Sequence, residues 1–153
     1  MVIGMSEQEF KKWILKNATN DWLFQTIETS TGSGIPDLFV CTDGYQGWIE
    51  LKSCANNRCY MRISQWRWMN KLSSRGGCGL LVIKRETDKR VEIYNMLDLR
   101  RIGTPNSDFI KGVNIIFPPY AQPAQTYKLG SGNQTFYAKL KQELMRGQNN
   151  EKK

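Results

Sequence analysis

The chain has 153 residues, 40% of them hydrophobic, and carries a formal net charge of +8 with no histidine. That length suits one domain around a single core, and no apolar run approaches the ~18 residues needed to span a bilayer. The lack of histidine excludes Ser-His-Asp hydrolysis, HExxH zinc chemistry and every nuclease built on a histidine general base, so any catalysis falls to carboxylates, lysine, tyrosine, cysteine or an oxygen-bound metal. The charge is uneven: net −2 over residues 1–37, then +4 over 38–75, +2 over 76–112 and +4 over 113–153. A basic domain favours a polyanionic partner, nucleic acid first, although a scattered solvated surface would give the same count. The opening "MVIGMSEQEF" has no basic segment ahead of a long apolar stretch, so it does not read as an export signal, and an intracellular, cytoplasmic location is expected. Cys41, Cys54, Cys59 and Cys78 lack the paired spacing of a zinc ribbon. They are expected as reduced thiols, a metal half-site at Cys54 and Cys59 being the less favoured alternative.

In chain order, Ser6 reads as an N-cap and Glu9, three residues on, completes a capping box. Phe10, Trp13 and Ile14 recur at helical spacing, giving an amphipathic helix over 7–17. "WLFQTIET" (22–29) reads as a strand, "STGSG" as a flexible bend and "PDLFVC" as the opening of a second strand. Asp43-Gly44 is a hairpin signal leading to a third strand, "WIELKS". "ANNRCY" is a loop, after which Ser64 caps a helix over 65–75 with Trp66, Met69 and Leu72 as its apolar face. "LLVIKR" is a continuous apolar run typical of a strand covered on both sides, and "RVEIYNM" pairs with it through "ETDK". Residues 98–134 are poorly periodic, with "FPPYAQPAQ" a surface crossing; 135–146 form a last amphipathic helix and 147–153 a disordered tail. The expectation is one α/β domain over 1–146, a mixed central sheet flanked by helices, with its core at about 6–95 and a C-terminal extension at 96–146.

Alternation along a strand turns Glu50 and Lys52 to one face and Ile49 and Leu51 to the other. Asp37 starts the neighbouring antiparallel strand, so the hairpin can bring it near Glu50 at the end of the sheet. A cross-strand salt bridge would explain such a group and would stabilise by at most ~1 kcal/mol at the surface. Gly32, Gly34 and Pro36, however, shape the backbone before Asp37 more than an ordinary charged strand needs. Two carboxylates beside one lysine also meet the requirements of metal-assisted phosphodiester hydrolysis: oxygen ligands for Mg²⁺, and an ammonium to orient water or offset developing charge.

The run "GSGIPDLFV…GWIELKS…RISQWRWMNKLSSRGG…LLVIKR" resembles the PD-(D/E)xK nuclease superfamily, and within it the virus-type replication-repair nucleases (VRR-NUC), relatives of archaeal Holliday-junction resolvases. The resemblance covers roughly residues 6–95 and implies a restriction-endonuclease-like fold with an α-β-β-β-α-β core. It implies Asp37 and Glu50 as metal ligands, Lys52 as the catalytic lysine, Leu51 as donor of a backbone carbonyl to the metal, and Gln65 beside the active site. Relatives also bring a glutamate from the first helix, here Glu7 or Glu9. Glu7 is favoured because it shares the stripe of Phe10 and Ile14, whereas Glu9 already has a capping duty. Ser30, Thr31 and Ser33 in the bend are candidates for contacting phosphate, although a turn needs such residues anyway. Arg58, Arg62, Arg67 and Lys71, on the loop and helix after the catalytic strand, are candidates for tracking the DNA backbone. Trp66 and Trp68 read as core and interface.

The activity so implied is that of a Mg²⁺-dependent endonuclease (Mn²⁺ substituting) of phage or viral type. Its partner would be branched DNA, cut by a homodimer whose two-fold symmetry suits a four-way junction. The alternatives are a flap- or duplex-nicking nuclease, and a non-catalytic DNA-binding module on the same fold. Charge does not distinguish DNA from RNA.

Overall fold

The computed structural model describes residues 5–27, 34–54, 59–86, 88–112, 114–117 and 121–149. The first helix, α1 (Glu7–Asn17), begins with the expected capping box. The Ser6 hydroxyl accepts from the Glu9 amide at 3.1 Å, and a Glu9 carboxylate oxygen accepts from the Ser6 amide at 3.3 Å. Strands β1 (Trp22–Thr26), β2 (Leu38–Thr42) and β3 (Tyr45–Cys54) then form an antiparallel meander. The β2–β3 turn is the expected one: Asp43 and Gly44 both have positive φ, 51° and 81°, as a two-residue hairpin of this hand requires. After β4 (Cys59–Arg62), helix α2 (Ile63–Ser74) crosses back so that β5 (Gly79–Arg85) lies parallel to β3. The chain continues with β6 (Arg90–Asn95), α3 (Met96–Ile102), a short 3₁₀ turn, β7 (Ile110–Lys111), β8 (Asn114–Phe117), β9 (Gln125–Lys128) and α4 (Asn133–Asn149).

Six strands make the central sheet in the order β1-β2-β3-β5-β6-β9, mixed because only β3 and β5 run parallel. A second sheet has the order β4-β8-β7. Alternation on β3 and β5 splits the core into two layers. One face of the central sheet presents Ile49, Leu51, Leu80 and Val82 to Phe10 and Ile14 of α1 and to Phe136, Leu140 and Leu144 of α4. The other presents Leu81 and Ile83 to Trp66 and Met69 of α2, Met96 and Leu99 of α3, and Met61, Ile115 and Phe117 of the small sheet. The result is the mixed sheet flanked by helices that the element order implied. Every residue of β5 is buried, which accounts for its apolar run Leu80–Ile83, and the burial extends to Lys84 and Arg85 at its end.

Several local expectations are corrected. Helix α2 starts at Ile63, after an N-cap at Arg62 rather than Ser64, because the Gln65 side chain satisfies the Arg62 amide. The loop expected over "ANNRCY" gives way at Cys59 to β4, whose partner β8 lies more than fifty residues away and so leaves no local signal. Cys54 and Cys59 are joined in a disulfide rather than reduced, since β3 ends and β4 begins with their Cα atoms 5.5 Å apart. Cys41 and Cys78 are free thiols. The poorly periodic stretch 98–134 contains most of α3, the 3₁₀ turn and three short strands. Helix α4 runs on to Asn149, past the expected end at Arg146. Among the described residues no helix is long and apolar enough to cross a membrane.

Candidate active site

The β2–β3 pairing sets Leu38 opposite Ile49, so one step back along β2 faces Asp37 toward Glu50. Asp37 is anchored there by accepting the Leu51 amide at Oδ2, 2.9 Å, and the Ile27 amide at its carbonyl, 2.9 Å. The first of these bonds fixes the carboxylate against the backbone of β3. The bend before Asp37 is equally constrained. Gly34 has φ +84°, and a Cβ on it would stand 2.6 Å from the Ser64 carbonyl oxygen. Only glycine allows the bend to lie this close against the start of α2.

Glu50 and Lys52 share one face of β3, as alternation requires. The Lys52 Nζ stands 3.3 Å from Glu50 Oε2, with the two side chains only 16% and 3% exposed. The ion pair is therefore intrastrand and buried, in place of the cross-strand surface bridge to Asp37. Gln65 bridges two elements: its Oε1 accepts the Arg62 amide at 3.1 Å, and its Nε2 donates to Glu50 Oε2 at 2.7 Å. Both partners thus converge on a single oxygen of Glu50. The second oxygen, Oε1, is buried and has no hydrogen-bond partner. A buried carboxylate oxygen left bare costs free energy of order 1–3 kcal/mol, more if charged, so it marks a place where another group belongs. Burial and, next, the charge of Asp37 push Glu50 up to about 8, against the opposing pull of Lys52.

Helix α1 enters the site at its N-terminus. The Ser53 hydroxyl donates to the Met5 carbonyl at 2.5 Å, which ties the start of α1 to the end of β3. Glu7, on the exposed rim, is raised in pKa by partial burial, drawn down by Lys52, raised by Asp37 and drawn down by a backbone hydrogen bond from Ser53. A recess of about 30 Å³ is lined by Glu7, Gln8, Lys11, Asp37 and Leu51, enough for a water-sized group. Glu9 is taken up by the capping box.

The structure thus brings together Glu7, Asp37, Glu50, Leu51, Lys52 and Gln65. Arg62, Arg67 and Lys71 are exposed along the end of β4 and the outer side of α2. Ser30, Thr31, Ser33 and Arg58 lie outside the described residues. Sequence reasoning missed that Gln65 is also the capping residue of α2, although a glutamine at the third helical position is the sequence signal for that role. It also missed the Ser53–Met5 tie, which joins elements 48 positions apart and leaves no local trace.

The polar side chains gathered here are carboxylates, a lysine and an amide, with no histidine or cysteine among them. Among the described residues no three His, Cys, Asp or Glu side chains stand close enough to form a complete metal cage. Carboxylate oxygens are the donors that hard divalent cations such as Mg²⁺ take, and structural zinc takes thiolates and imidazoles instead.

No family model and no curated protein matches the sequence. Among solved structures the chain is similar to Hjc, a Holliday junction resolvase from the archaeal hyperthermophile Archaeoglobus fulgidus, at 10% identity and a TM-score of 0.49, over 72% of this chain and 83% of that one. The likeness concerns the path of the backbone, and the chemistry of the site rests on its own residues.

Proposed function

We propose that the protein is a divalent-metal-dependent nuclease that hydrolyses phosphodiester bonds in DNA, of the virus-type replication-repair kind, acting on branched DNA as a homodimer. The observation that carries this reading is the buried Glu50 carboxylate: Lys52 and Gln65 hold one of its oxygens, and the other is bare next to Asp37. A salt bridge with only a structural role would satisfy both oxygens, because an unpaired buried acceptor is destabilising.

In this reading Asp37, Glu50 and the Leu51 carbonyl would hold Mg²⁺, with Mn²⁺ able to replace it. The ion, when bound, polarises the phosphate and lowers the pKa of a water. Gln65 fixes the Glu50 rotamer so that Oε1 stays aimed at the site. The Leu51 amide does the same for Asp37. Lys52, nearly enclosed yet not fully buried, keeps an ammonium where negative charge grows on the phosphate in the transition state. Glu7, on the rim, serves as a further carboxylate toward the attacking water. Arg62, Arg67 and Lys71 supply backbone contacts that place the strand without reading its bases. Ser30, Ser33 and Arg58 are assigned the same task.

Incubation of the protein with end-labelled four-way junction, flap, duplex and single-stranded DNA, in Mg²⁺ and in EDTA, tests the reading. Cleavage in Mg²⁺ that EDTA removes, with junctions cut ahead of matched duplex, is the expected result. Cleavage that persists in EDTA would refute the metal, and a preference for flaps or single strands would refute the junction.

A further inference from the structure

Strand β3 turns Lys52, Glu50, Trp48 and Gln46 to the same face in a row. The register sets Phe39 of β2 opposite Trp48, one rung from the Asp37–Glu50 level, or ~6.6 Å along the strand. Helix α2 runs beside this row. Its Gln65 reaches Glu50, and its Trp68, nearly one turn on, meets Trp48 edge to face with ring centroids 5.6 Å apart. Phe39 and Trp48 also meet edge to face, at 5.4 Å. The row continues into a cavity of about 320 Å³, whose walls include Phe39, Trp48, Gln46, Leu72 and Gln148. All three rings are only half-buried. The row therefore leads from Glu50, by way of Phe39 and Trp48 on the next rung, into a groove with aromatic walls.

Its outer lip is cationic. Arg67 and Lys71 of α2 and Arg75, its C-cap, are exposed at four-residue spacing, on the flank next to the Trp68 and Leu72 stripe. Among the described residues none of the three is in an ion pair. An aromatic floor under a lip of unpaired cations is how proteins hold single-stranded nucleic acid: rings accept any base, and cations follow the phosphates. A second copy of this chain would bring the same cations to the same lip, which charge repulsion disfavours.

We propose that this groove receives an unstacked nucleotide adjacent to the phosphate at Glu50, with its base lying against Phe39 and Trp48. The position of that phosphate rests on the nuclease reading; the base site rests on the rings and the lip. The cut would then fall beside a nucleotide that is unpaired or easily unstacked, as at a branch point, and the base's identity would matter little.

The test is fluorescence anisotropy of labelled single-stranded oligonucleotides, run in EDTA so that none is cut, with wild type, Trp48→Leu and Trp48→Tyr. A second oligonucleotide carries abasic residues in place of nucleotides. Trp48→Leu is expected to weaken binding of the intact oligonucleotide roughly ten- to a hundredfold, Trp48→Tyr to restore most of it, and abasic residues to erase the difference between variants. Equal binding by wild type and Trp48→Leu, or equal wild-type binding of intact and abasic strands, would overturn the proposal. So would a Trp48→Leu protein that falls from dimer to monomer by light scattering while its affinity is unchanged, since the groove would then hold a second copy. Should Trp48→Leu fail to fold, the abasic comparison with wild type decides alone. Base-dependent binding without any cleavage in Mg²⁺ would sink the nuclease reading and leave the groove standing.

Discussion

Glu50 is a carboxylate in a place where a carboxylate is costly, and that cost is measurable without any substrate. Burial holds its folded pKa at about 8, above the ordinary 4.5, so between those values the folded state keeps a proton that the unfolded chain gives up. More protons bound when folded means that stability falls as pH rises across that window. In EDTA, urea unfolding should show wild type losing a few kcal/mol between about pH 5 and about pH 8, with Glu7 adding to the same trend. Glu50→Gln should flatten the slope, and an unchanged slope would mean that Glu50 is not buried as described. A second expectation separates the two glutamates of α1. Glu7→Gln should lower cleavage far more than Glu9→Gln, whose main effect is loss of the capping box, about 0.5–2 kcal/mol in thermal or urea melts. The reverse ranking would hand the first-helix role to Glu9. Asp37, Glu50 and Lys52 were legible in the sequence because strand alternation and a two-residue hairpin are local rules that fix which side chains share a face. The bare oxygen of Glu50 was not legible, since it depends on where Lys52 and Gln65 both choose to bond.

At the scale of elements, the site depends on how closely α2 lies against the bend before β2. Gly34 carries that contact, and Gly34→Ala meets both a left-handed backbone and the Ser64 carbonyl. A destabilisation of roughly 1–3 kcal/mol is expected in denaturant unfolding, together with loss of activity beyond what stability explains, because Gln65 is displaced from Glu50. A Gly34→Ala protein as active and as stable as wild type would show that the bend and α2 are not packed as described. The long elements α1, β3, α2, β5 and α4 announce themselves through periodicity or unbroken apolar runs. The short ones do not. β9 is four residues long and is held by pairing with β6, while β4 finds β8 more than fifty residues further on. Such strands owe their existence to partners rather than to propensity. The Cys54–Cys59 disulfide has the same origin: it depends on β3 and β4 meeting at their ends, which the spacing of two cysteines does not specify.

For the whole molecule, the proposed function together with the excess of +8 and the exposed cations of α2 predicts DNA binding dominated by phosphate contacts. Affinity for every DNA substrate should therefore fall steeply and linearly on a log–log plot against salt, and each of Arg67→Ala and Lys71→Ala should reduce that slope by about one phosphate contact. On the proposed nuclease reading, so small and basic a protein has few side chains to spare for base edges, and DNA shape rather than sequence should govern which substrates are cut. All of this presupposes that the bare carboxylate oxygen beside Asp37 belongs to a hydrolytic metal site. The most direct measurement is a single-turnover cleavage assay on a labelled four-way junction in Mg²⁺, comparing wild type with Glu50→Gln, with circular dichroism and DNA affinity measured on the same preparations. The expected result is cleavage by wild type and a loss of at least about a thousandfold in Glu50→Gln, with fold and affinity retained. Near wild-type cutting by Glu50→Gln, or no cutting by a folded, DNA-binding wild type, would contradict it.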